Sequence, residues 1–306
     1  MYDSEHDRYD LLVVGSANAD LVVGVERRPA PGETVLGSDL AVHPGGKGGN
    51  QAVAAARLGA RTALLARVGD DAHGRLLLES QRAAGVDTDG VLVGGAPTGV
   101  ALITVDPSGD NSIVVSPGAN ARLTPKDVRA AGALLAAARV VSVQLEIPLE
   151  TVAEVAAALP PETRLVLNPS PPAPLPGRVL AACDPLVVNE HEARYILGKN
   201  VGSTPGEWAR ALLGLGPKSV VITLGAAGAL VADGRTGDVV PVPSLAVEAV
   251  DTTGAGDAFT AALAWRLGLG EELAEAAAFA VRVGAAAVTR QGAQASFPTA
   301  AEVPAP

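Results

Sequence analysis

Short apolar runs alternate with helical patterns along almost the whole chain. Uninterrupted apolar character over only a few residues is typical of strands that are buried on both faces of a parallel sheet. Such runs occupy residues 11–15, 63–68, 140–143, 165–167, 186–188 and 220–223. Segments with the apolar spacing of helices lie between them, at residues 50–58, 74–84, 125–138, 149–158, 190–197 and 205–213. The alternation predicts an α/β fold, in which helices sandwich a mostly parallel, Rossmann-like central sheet.

Two segments, at about residues 20–42 and 91–116, break this alternation. They hold runs of alternating apolar and polar residues, at 98–105 and 112–116, next to turn sequences at 31–32 and 107–110. Such runs without intervening helices indicate antiparallel strands. We expect a small separate sheet, inserted into a single domain of residues 1–306. Because the inserts would project from the carboxyl edge of the main sheet, where α/β folds bind ligands, the small sheet is predicted to be a lid.

Composition disfavours several classes of function. The net charge of −10 and the 3% aromatic content argue against nucleic-acid binding, because an acidic chain repels phosphates and has few rings to stack on bases. No apolar run approaches the roughly 20 residues of a membrane span. Residues 1–10 are polar, so we expect no membrane association and a cytoplasmic location. The single cysteine, Cys183, and four scattered histidines give no zinc-binding pattern.

The most informative motif is Asp-Thr-Thr-Gly-Ala-Gly-Asp at residues 251–257, directly before a helical pattern. A glycine-rich turn that opens a helix leaves the amides of Ala255, Gly256 and Asp257 free to bind an anion. Asp257 could be only a favourable partner of the helix dipole. It also fits a base that accepts a hydroxyl proton beside a transferring phosphoryl group. The residues alone leave both interpretations open.

Two further polar motifs follow early elements of the fold. The sequence Gly-Gly-Lys-Gly-Gly-Asn at residues 45–50 starts a helix, but it is not a Walker A loop because no Ser or Thr follows Lys47. It suits either a simple helix turn or close approach of a sugar to the backbone. Asn18 and Asp20 follow the first strand, and they fit either a plain turn or a pair of ligands for neighbouring hydroxyls. The missing G-x-G-x-x-G pattern argues against a dinucleotide site.

These motifs, in this order, resemble the ribokinase-like (phosphofructokinase-B type) sugar kinase family over residues 10–298. Segments 144–146, 189–192, 223–228 and 289–296 carry the same resemblance. It implies the ribokinase-like fold and transfer of the γ-phosphoryl group of ATP to the 5-hydroxyl of D-ribose, giving D-ribose 5-phosphate and ADP. Another sugar or nucleoside, such as deoxyribose, fructose or adenosine, remains an alternative substrate. A non-catalytic sugar sensor is an alternative of another class, but such a protein would be expected to lose Asp257.

The resemblance also implies a role for each matching residue. Asp257 would be the catalytic base, and Gly254, Ala255 and Gly256 would form the oxyanion hole. The implied sugar-binding positions are Asn18, Ala19, Asp20, Gly46, Lys47, Gly48, Gly49, Asn50, Glu146 and Asp257. The implied ATP-binding positions are Asn189, Thr223, Leu224, Gly225, Ala226, Ala227, Gly228, Gly256 and Asp257.

Two cations follow from the same resemblance. Mg²⁺ would lie near Asn189 and Glu192, mostly through water, as suits an ion that dehydrates reluctantly. An activating K⁺ would take oxygens from Asp251, Thr253, Ala287, Arg290, Gly292 and Ser296. On the residues alone, a turn cap is the simpler interpretation of Asp251.

A homodimer through the lid is the last expectation. An isolated small sheet has an apolar face and free edges that need cover. The candidate residues for that face are Val22, Val23, Val35, Leu40, Ile103 and Val114. We expect a second copy of the chain to cover them.

Overall fold

The computed structural model describes residues 9–198 and 202–305. Residues 1–8, which contributed to the expectation of a cytoplasmic location, lie outside these ranges. The described strands are β1 (Tyr9–Val14), β2 (Asn18–Gly24), β3 (Ala41–Gly45), β4 (Thr62–Val68), β5 (Val91–Val93), β6 (Gly99–Val105), β7 (Asn111–Ser116), β8 (Ala138–Gln144), β9 (Arg164–Asn168), β10 (Cys183–Asn189), β11 (Ser219–Thr223), β12 (Ala229–Asp233) and β13 (Val239–Val242). The described α-helices are α1 (Lys47–Arg57), α2 (Ala72–Ala83), α3 (Pro125–Ala130), α4 (Gly132–Ala136), α5 (Leu149–Ala158), α6 (Gly177–Ala182), α7 (Glu190–Leu197), α8 (Pro205–Leu213), α9 (Ala255–Gly268) and α10 (Leu273–Ala287).

A nine-stranded sheet in the order β13-β12-β11-β10-β9-β8-β1-β4-β5 forms the centre of the fold. Its pairs from β5 to β11 are parallel, and β12 and β13 add an antiparallel edge. Alternate residues of β1 enter opposite cores: Leu11 and Val13 pack with α1, α9 and α10, whereas Leu12 and Val14 face the other layer of helices. Burial on both faces is why the predicted strands have no polar alternation.

The predicted runs fall within observed strands, apart from Gly15, which directly follows β1. The predicted helix at 125–138 is wrong in its extent. It is divided into α3 and α4 around Ala131, and Ala138 already belongs to β8. Gly132, a poor helix former, directly follows the break. The sequence interpretation also missed α10 and the β12–β13 edge.

The lid is a separate four-stranded sheet in the order β3-β2-β6-β7. Its outer pairs are antiparallel, but β2 and β6 pair in parallel, so the expectation of antiparallel strands is only partly correct. The physical reason is that β2 follows β1 and β6 follows β5, and both of those strands point the same way in the central sheet. Residues 91–93 belong to that central sheet, beside β4, so the second lid segment begins at β6 and not at residue 91.

The apolar residues predicted for one lid face divide between two faces. Successive side chains of a strand point to opposite faces. In the observed register Asp20 pairs with Ala101, and Val22 pairs with Ile103. Because Val22 follows Asp20 by two residues, Ile103 lies on the same face of the sheet as Asp20. The opposite face carries one row of apolar residues across all four strands, namely Val42, Leu21, Leu102 and Val114. Of this row, Val42, Leu102 and Val114 are exposed. No helix in the described ranges is long and apolar enough to span a membrane.

Candidate active site

A cavity lies where the carboxyl ends of β9, β10 and β11 meet the first turns of α1, α7 and α9. This is the edge at which α/β folds place their ligands. Seven of the twelve residues that line it lie in four motif segments that the sequence singled out, at 45–50, 189–192, 223–228 and 251–257. The twelve are Lys47, Asn168, Ser170, Val187, Val188, Asn189, Glu192, Thr223, Gly254, Gly256, Asp257 and Thr260.

The turn before α9 requires a glycine. Gly254 has φ of +75°, and a Cβ there would lie 3.0 Å from Phe297 and 3.1 Å from Ala293. The Ala255 amide donates to the Thr252 carbonyl at 3.2 Å, so it closes the turn. Gly254 and Gly256 line the cavity, at the positive end of the helix dipole. This end of α9 therefore offers a place for an anion, as the motif predicts.

The two early motifs meet because glycine lets α1 approach the end of β1. A Cβ at Gly48 would lie 2.6 Å from the Ser16 amide nitrogen, and one at Gly46, where φ is +82°, would lie 2.6 Å from that of Asn18. The Gly49 amide donates to the Ser16 carbonyl at 2.8 Å. Residues 15–20 and 45–50, which are separated in sequence, consequently form one surface.

Asp257 is buried at the start of α9, but it still reaches the cavity. Its Oδ2 accepts a hydrogen bond from the Asn50 amide at 3.0 Å, and its Oδ1 accepts one from the Gln51 amide at 3.3 Å. The motif at residues 251–257 and the glycine-rich motif of α1 are therefore in direct contact.

Glu146 joins the same surface from the end of β8. Its Oε2 accepts hydrogen bonds from the Ser16 hydroxyl at 2.6 Å and from the Lys47 backbone amide at 3.0 Å. The Asn18 amide lies 3.5 Å from the same oxygen. Asn18 and Asp20 are on one face of β2, while the Ala19 side chain between them points to the other face. Ala19 can thus offer only its backbone to this surface.

Charge is concentrated around Lys47 and Asp20. Burial lowers the pKa of the Lys47 ammonium, but the carboxylates of Asp257, Glu146 and Glu192 raise it more, so its net pKa is above the ordinary value. Burial, followed by the charges of Glu146 and Asp257, raises the pKa of Asp20 to about 7. A hydroxyl-rich ligand would supply hydrogen-bond donors to the Asp20 carboxylate when it is ionised.

The predicted nucleotide side forms the opposite wall. Asn189 and Glu192 make a capping box at the start of α7: the Asn189 Oδ1 accepts from the Glu192 amide at 2.8 Å, and the Glu192 Oε2 accepts from the Asn189 amide at 2.9 Å. Both residues line the cavity, as does Thr223 at the end of β11. A short 3₁₀ turn follows Thr223, and its residues 225–227 are exposed. With its caps it comprises Leu224, Gly225, Ala226, Ala227 and Gly228.

Asp251 connects two loops next to this site. Its Oδ1 accepts from the Thr253 amide at 2.9 Å, and its Oδ2 accepts from the Gly292 amide at 2.8 Å. Although burial raises the pKa of Asp251, the hydrogen bonds from Thr253 and Gly292 hold it below its ordinary value. The turn before α9 and the turn after α10 are therefore held together by one carboxylate.

The other residues predicted for K⁺ lie in that second turn. The Ala287 carbonyl accepts from the Arg290 amide at 3.3 Å, and the Ser296 hydroxyl donates to the Ala293 carbonyl at 2.8 Å. The Arg290 side chain pairs with Glu302 at 2.8 Å. Among the described residues there is no group of three or more His, Cys, Asp or Glu side chains arranged for a metal ion. A cation here would depend on backbone carbonyls.

A family model described as pfkB family carbohydrate kinase matches residues 8–300. This chain belongs to the pfkB family of carbohydrate kinases. Members of the family phosphorylate carbohydrates with ATP and Mg²⁺, so the kinase needs both a sugar site and a nucleotide site at one cavity. The family predicted from the motifs is confirmed.

Named relatives of the kinase cover nearly the full chain. A ribokinase of Bacillus subtilis is 41% identical over 96% of this chain and 98% of that protein. A deoxyribokinase of Salmonella typhimurium is 35% identical over 95% of this chain and 96% of that protein. The crystal structure of a Thermotoga maritima ribokinase has a TM-score of 0.89 at 35% identity, covering 96% and 98% of the two chains. A structure of Arabidopsis thaliana ribokinase complexed with ribose and ATP has a TM-score of 0.86 at 33% identity, covering 97% of each chain. The predicted fold, with its separate small sheet, is confirmed.

Several polar residues at the kinase site were not predicted. Asn120 accepts from the Ala17 amide at 3.0 Å and donates to the Asn18 Oδ1 at 2.7 Å, so it fixes the orientation of the Asn18 side chain. Ser16 contacts Glu146, and Gln51 contacts Asp257. These residues are neutral and lie outside the glycine-rich motifs or at their edge. Only Gln51 had a sequence signal, because it is a polar residue directly after Asn50 in an otherwise apolar helix.

Proposed function

We propose that this kinase transfers the γ-phosphoryl group of ATP to the 5-hydroxyl of D-ribose. The observation that carries the proposal is the convergence of Asn18, Asp20 and Glu146 beside Asp257. Carboxylates and amides form paired hydrogen bonds with neighbouring hydroxyls, which a pentose presents in series. None of the described residues around the cavity is aromatic, which disfavours a nucleoside base as part of the acceptor.

In the proposed reaction, Asp257 takes the proton of the sugar 5-hydroxyl as its oxygen attacks the γ-phosphorus of ATP. The new oxygen–phosphorus bond forms while the bond from the γ-phosphorus to the bridging oxygen breaks, and that oxygen leaves with ADP. Amides at the start of α9, from Gly254 to Asp257, would stabilise the charge on the transferring group, and Ala255 would join them once its turn adjusts. Positioning accounts for most of the rate in such a transfer.

The nucleotide wall fits a hydrated Mg²⁺. Asn189 and Glu192 bring oxygen atoms to the cavity, and Glu192 keeps its Oε1 outside the capping hydrogen bond. Bound with ATP, Mg²⁺ neutralises charge on the phosphates. The residues from Thr223 to Gly228 would hold the rest of the nucleotide. Lys47 adds a buried positive charge between the sugar side and this wall.

The lid supports a kinase over a sugar-binding protein without activity. Asn18 and Asp20 lie on the lid strand β2, so closure of the lid on the sugar would exclude water, which otherwise competes as acceptor. A sugar sensor has no need of Asp257 at the start of α9, yet Asp257 is held there by two amides. We also place the kinase in the cytoplasm, where ATP is available.

The kinase would also bind an activating K⁺ and form a homodimer. The K⁺ would lie between the loops that Asp251 joins, among oxygens of Asp251, Thr253, Ala287, Arg290, Gly292 and Ser296. A large, flexible cage of this kind suits K⁺ better than Mg²⁺. The homodimer would form through the apolar outer face of the lid.

An assay of ADP release tests the substrate. The purified kinase is given ATP, Mg²⁺ and one member of a panel of pentoses, hexoses and nucleosides. We expect the highest kcat/KM with D-ribose, and phosphorus NMR should place the phosphate on the 5-oxygen. Deoxyribose is the informative comparison, because it differs from ribose by one hydroxyl. Higher kcat/KM with deoxyribose, fructose or adenosine would overturn the assignment to ribose while leaving the family intact.

A further inference from the structure

Both oxygens of the Asp257 carboxylate are bonded by side-chain amides from consecutive residues of α1. Asn50 donates to Oδ2 at 3.0 Å, and Gln51 donates to Oδ1 at 3.3 Å. Asn50 belongs to the proposed sugar site. Gln51 has no exposed surface, so it has no contact with a ligand.

The orientation of Gln51 is set by a second pair of buried groups. Its Oε1 accepts a hydrogen bond from the Ser142 hydroxyl at 2.7 Å and another from the Gln144 amide at 2.6 Å. Ser142 and Gln144 lie on β8 and are fully buried. Because both donors require the carbonyl end of Gln51, its NH₂ end must face Asp257.

Asn50 is oriented in the same way from the other side. Its Oδ1 accepts from the Gln294 amide at 3.2 Å, and the Gln294 Oε1 accepts from the Ser80 hydroxyl at 3.2 Å. Gln294 is buried and begins the short 3₁₀ turn Gln294–Ser296 after α10. The NH₂ end of Asn50 is therefore also left to face Asp257.

We infer that Gln51 and Gln294 are positioning residues, which fix the direction of the Asp257 carboxylate through two amide chains. The inference rests on the proposed role of Asp257 as the base. A terminal carboxylate rotates over a broad torsional range unless it is held. Two oriented donors, one on each oxygen, leave a single direction for the lone pair that takes the hydroxyl proton. Small misplacements of reacting groups cost as much as about 10²-fold in rate.

The two residues differ in what they support. Gln51 acts on Asp257 alone, so its loss should lower kcat without weakening substrate binding. Gln294 acts through Asn50, so its loss should also raise the KM for the sugar. A purely structural amide network would instead lower thermal stability and leave kcat per folded molecule unchanged.

The test compares Gln51→Met and Gln294→Met with wild type, using the sugar that wild type phosphorylates fastest. We expect Gln51→Met to lower kcat by about 10- to 100-fold, with KM values for sugar and ATP within about threefold of wild type. Gln294→Met should lower kcat and raise the KM for the sugar several-fold. Thr151→Val is the matched control: it removes a buried hydrogen bond to the Leu123 carbonyl, remote from the cavity, and should lower stability but not kcat.

Two further measurements keep the outcomes distinct. Ser142→Ala removes one donor to Gln51 and should give an intermediate loss of kcat. This variant provides the test if Gln51→Met does not fold. A crystal structure of Gln51→Met or Ser142→Ala should show the Asp257 carboxylate rotated or in two orientations, which requires no activity. A kcat within about threefold of wild type in both variants, with Asp257 unmoved, would overturn the inference. Wild type without activity on every sugar would overturn the proposed function instead, and the orientation of Asp257 would still decide the inference.

Discussion

Asp257 is the residue on which the proposed chemistry depends. An amide has nearly the same shape as a carboxylate but cannot accept the hydroxyl proton. We therefore expect Asp257→Asn to lower kcat by about 10²- to 10⁴-fold, the usual range for loss of a general base. ADP affinity measured by calorimetry should change little. The temperature of unfolding should fall, because the new NH₂ group faces one of the two amide donors that Asp257 accepts from. A variant that keeps more than about a third of the wild-type kcat would contradict the role of base.

The pKa of Asp20, raised to about 7 by burial and by the charges of Glu146 and Asp257, predicts a pH effect on sugar binding. Below this pKa Asp20 is mostly protonated, and above it Asp20 is a carboxylate that can accept two hydroxyl donors. The KM for D-ribose should therefore fall by about five- to tenfold between pH 6 and pH 8. Steady-state kinetics over this range measure it.

The control for this effect is a pair of variants. Asp20→Asn should raise the KM and abolish its pH dependence, because the titrating group is gone. Asp110→Asn removes an exposed lid carboxylate that lies 3.4 Å from Arg28, and it should leave the pH dependence unchanged. A flat KM profile in wild type would show that Asp20 binds no sugar hydroxyl or is already ionised at pH 6.

At the level of single residues, the sequence indicates polar groups inside its motifs and misses neutral ones outside them. Asp257, Lys47 and Asn50 stand in motifs whose resemblance to the family implies their roles. Asn120 and Gln51 do not, because a neutral amide acquires a role only from the tertiary partners that orient it. Those partners lie far apart in the chain, and periodicity carries no information about them.

The contact between α1 and the end of β1 determines whether the sugar site can form. A Cβ at Gly48 would lie 2.6 Å from the Ser16 nitrogen and 2.7 Å from the Ser16 carbonyl oxygen, and backbone atoms cannot move aside as a side chain can. We expect Gly48→Ala to lower the free energy of unfolding by about 1–3 kcal/mol, as overpacking does. It should also weaken D-ribose binding. Urea unfolding and calorimetry measure the two effects.

Gly177 provides the matched control, because a Cβ there meets nothing within 4 Å and its φ is not positive. Gly177→Ala should change the free energy of unfolding by no more than about 0.5 kcal/mol. Equal effects of the two substitutions would mean that the close approach of α1 is unimportant.

The two loops joined by Asp251 predict a response to monovalent cations. An ion between them would fix the turn at residues 252–256 and so align the amides at the start of α9. Activity should rise several-fold when K⁺ replaces Na⁺ or tetramethylammonium at equal ionic strength, and Asp251→Ala should abolish the response. Initial rates in the three salts provide the measurement. Identical rates would exclude the K⁺ site, although the kinase would stand.

Among the elements, strands buried on both faces and capped helices could be predicted from local pattern. The parallel pairing of β2 with β6 could not, because it follows from the directions in which β1 and β5 deliver the chain.

The described molecule consists of two sheets, and the proposed sugar site lies at their junction. The central sheet would supply the catalytic and nucleotide side, at the carboxyl ends of its strands. The lid supplies Asn18 and Asp20 from β2, which begins four residues after β1 ends. The short connection means that a movement of the lid also moves these two proposed sugar ligands. Binding and water exclusion are therefore expected to be one event.

The outer face of the lid presents an apolar row that a second copy of the chain could cover. Val42, Leu102 and Val114 are 37%, 50% and 64% exposed in this row, which runs across the strands opposite to the face of Asp20. Exposed apolar rows on open sheets usually mark interfaces. We expect wild type to be a dimer at micromolar concentration in light scattering. Val114→Glu, which places a charge on that row, should be a monomer.

Val240→Glu is the control for this last prediction. Val240 is 41% exposed, but it lies on β13 at the edge of the central sheet, away from the lid. This variant should remain a dimer. A dimeric Val240→Glu and a monomeric Val114→Glu would together place the interface on the lid row and not on exposed valines in general. The monomeric Val114→Glu should have a higher KM for D-ribose with its ATP affinity unchanged, because only the sugar ligands lie on lid strands. A wild type that is monomeric and fully active would contradict the dimer, and the apolar row would then have to be covered in another way.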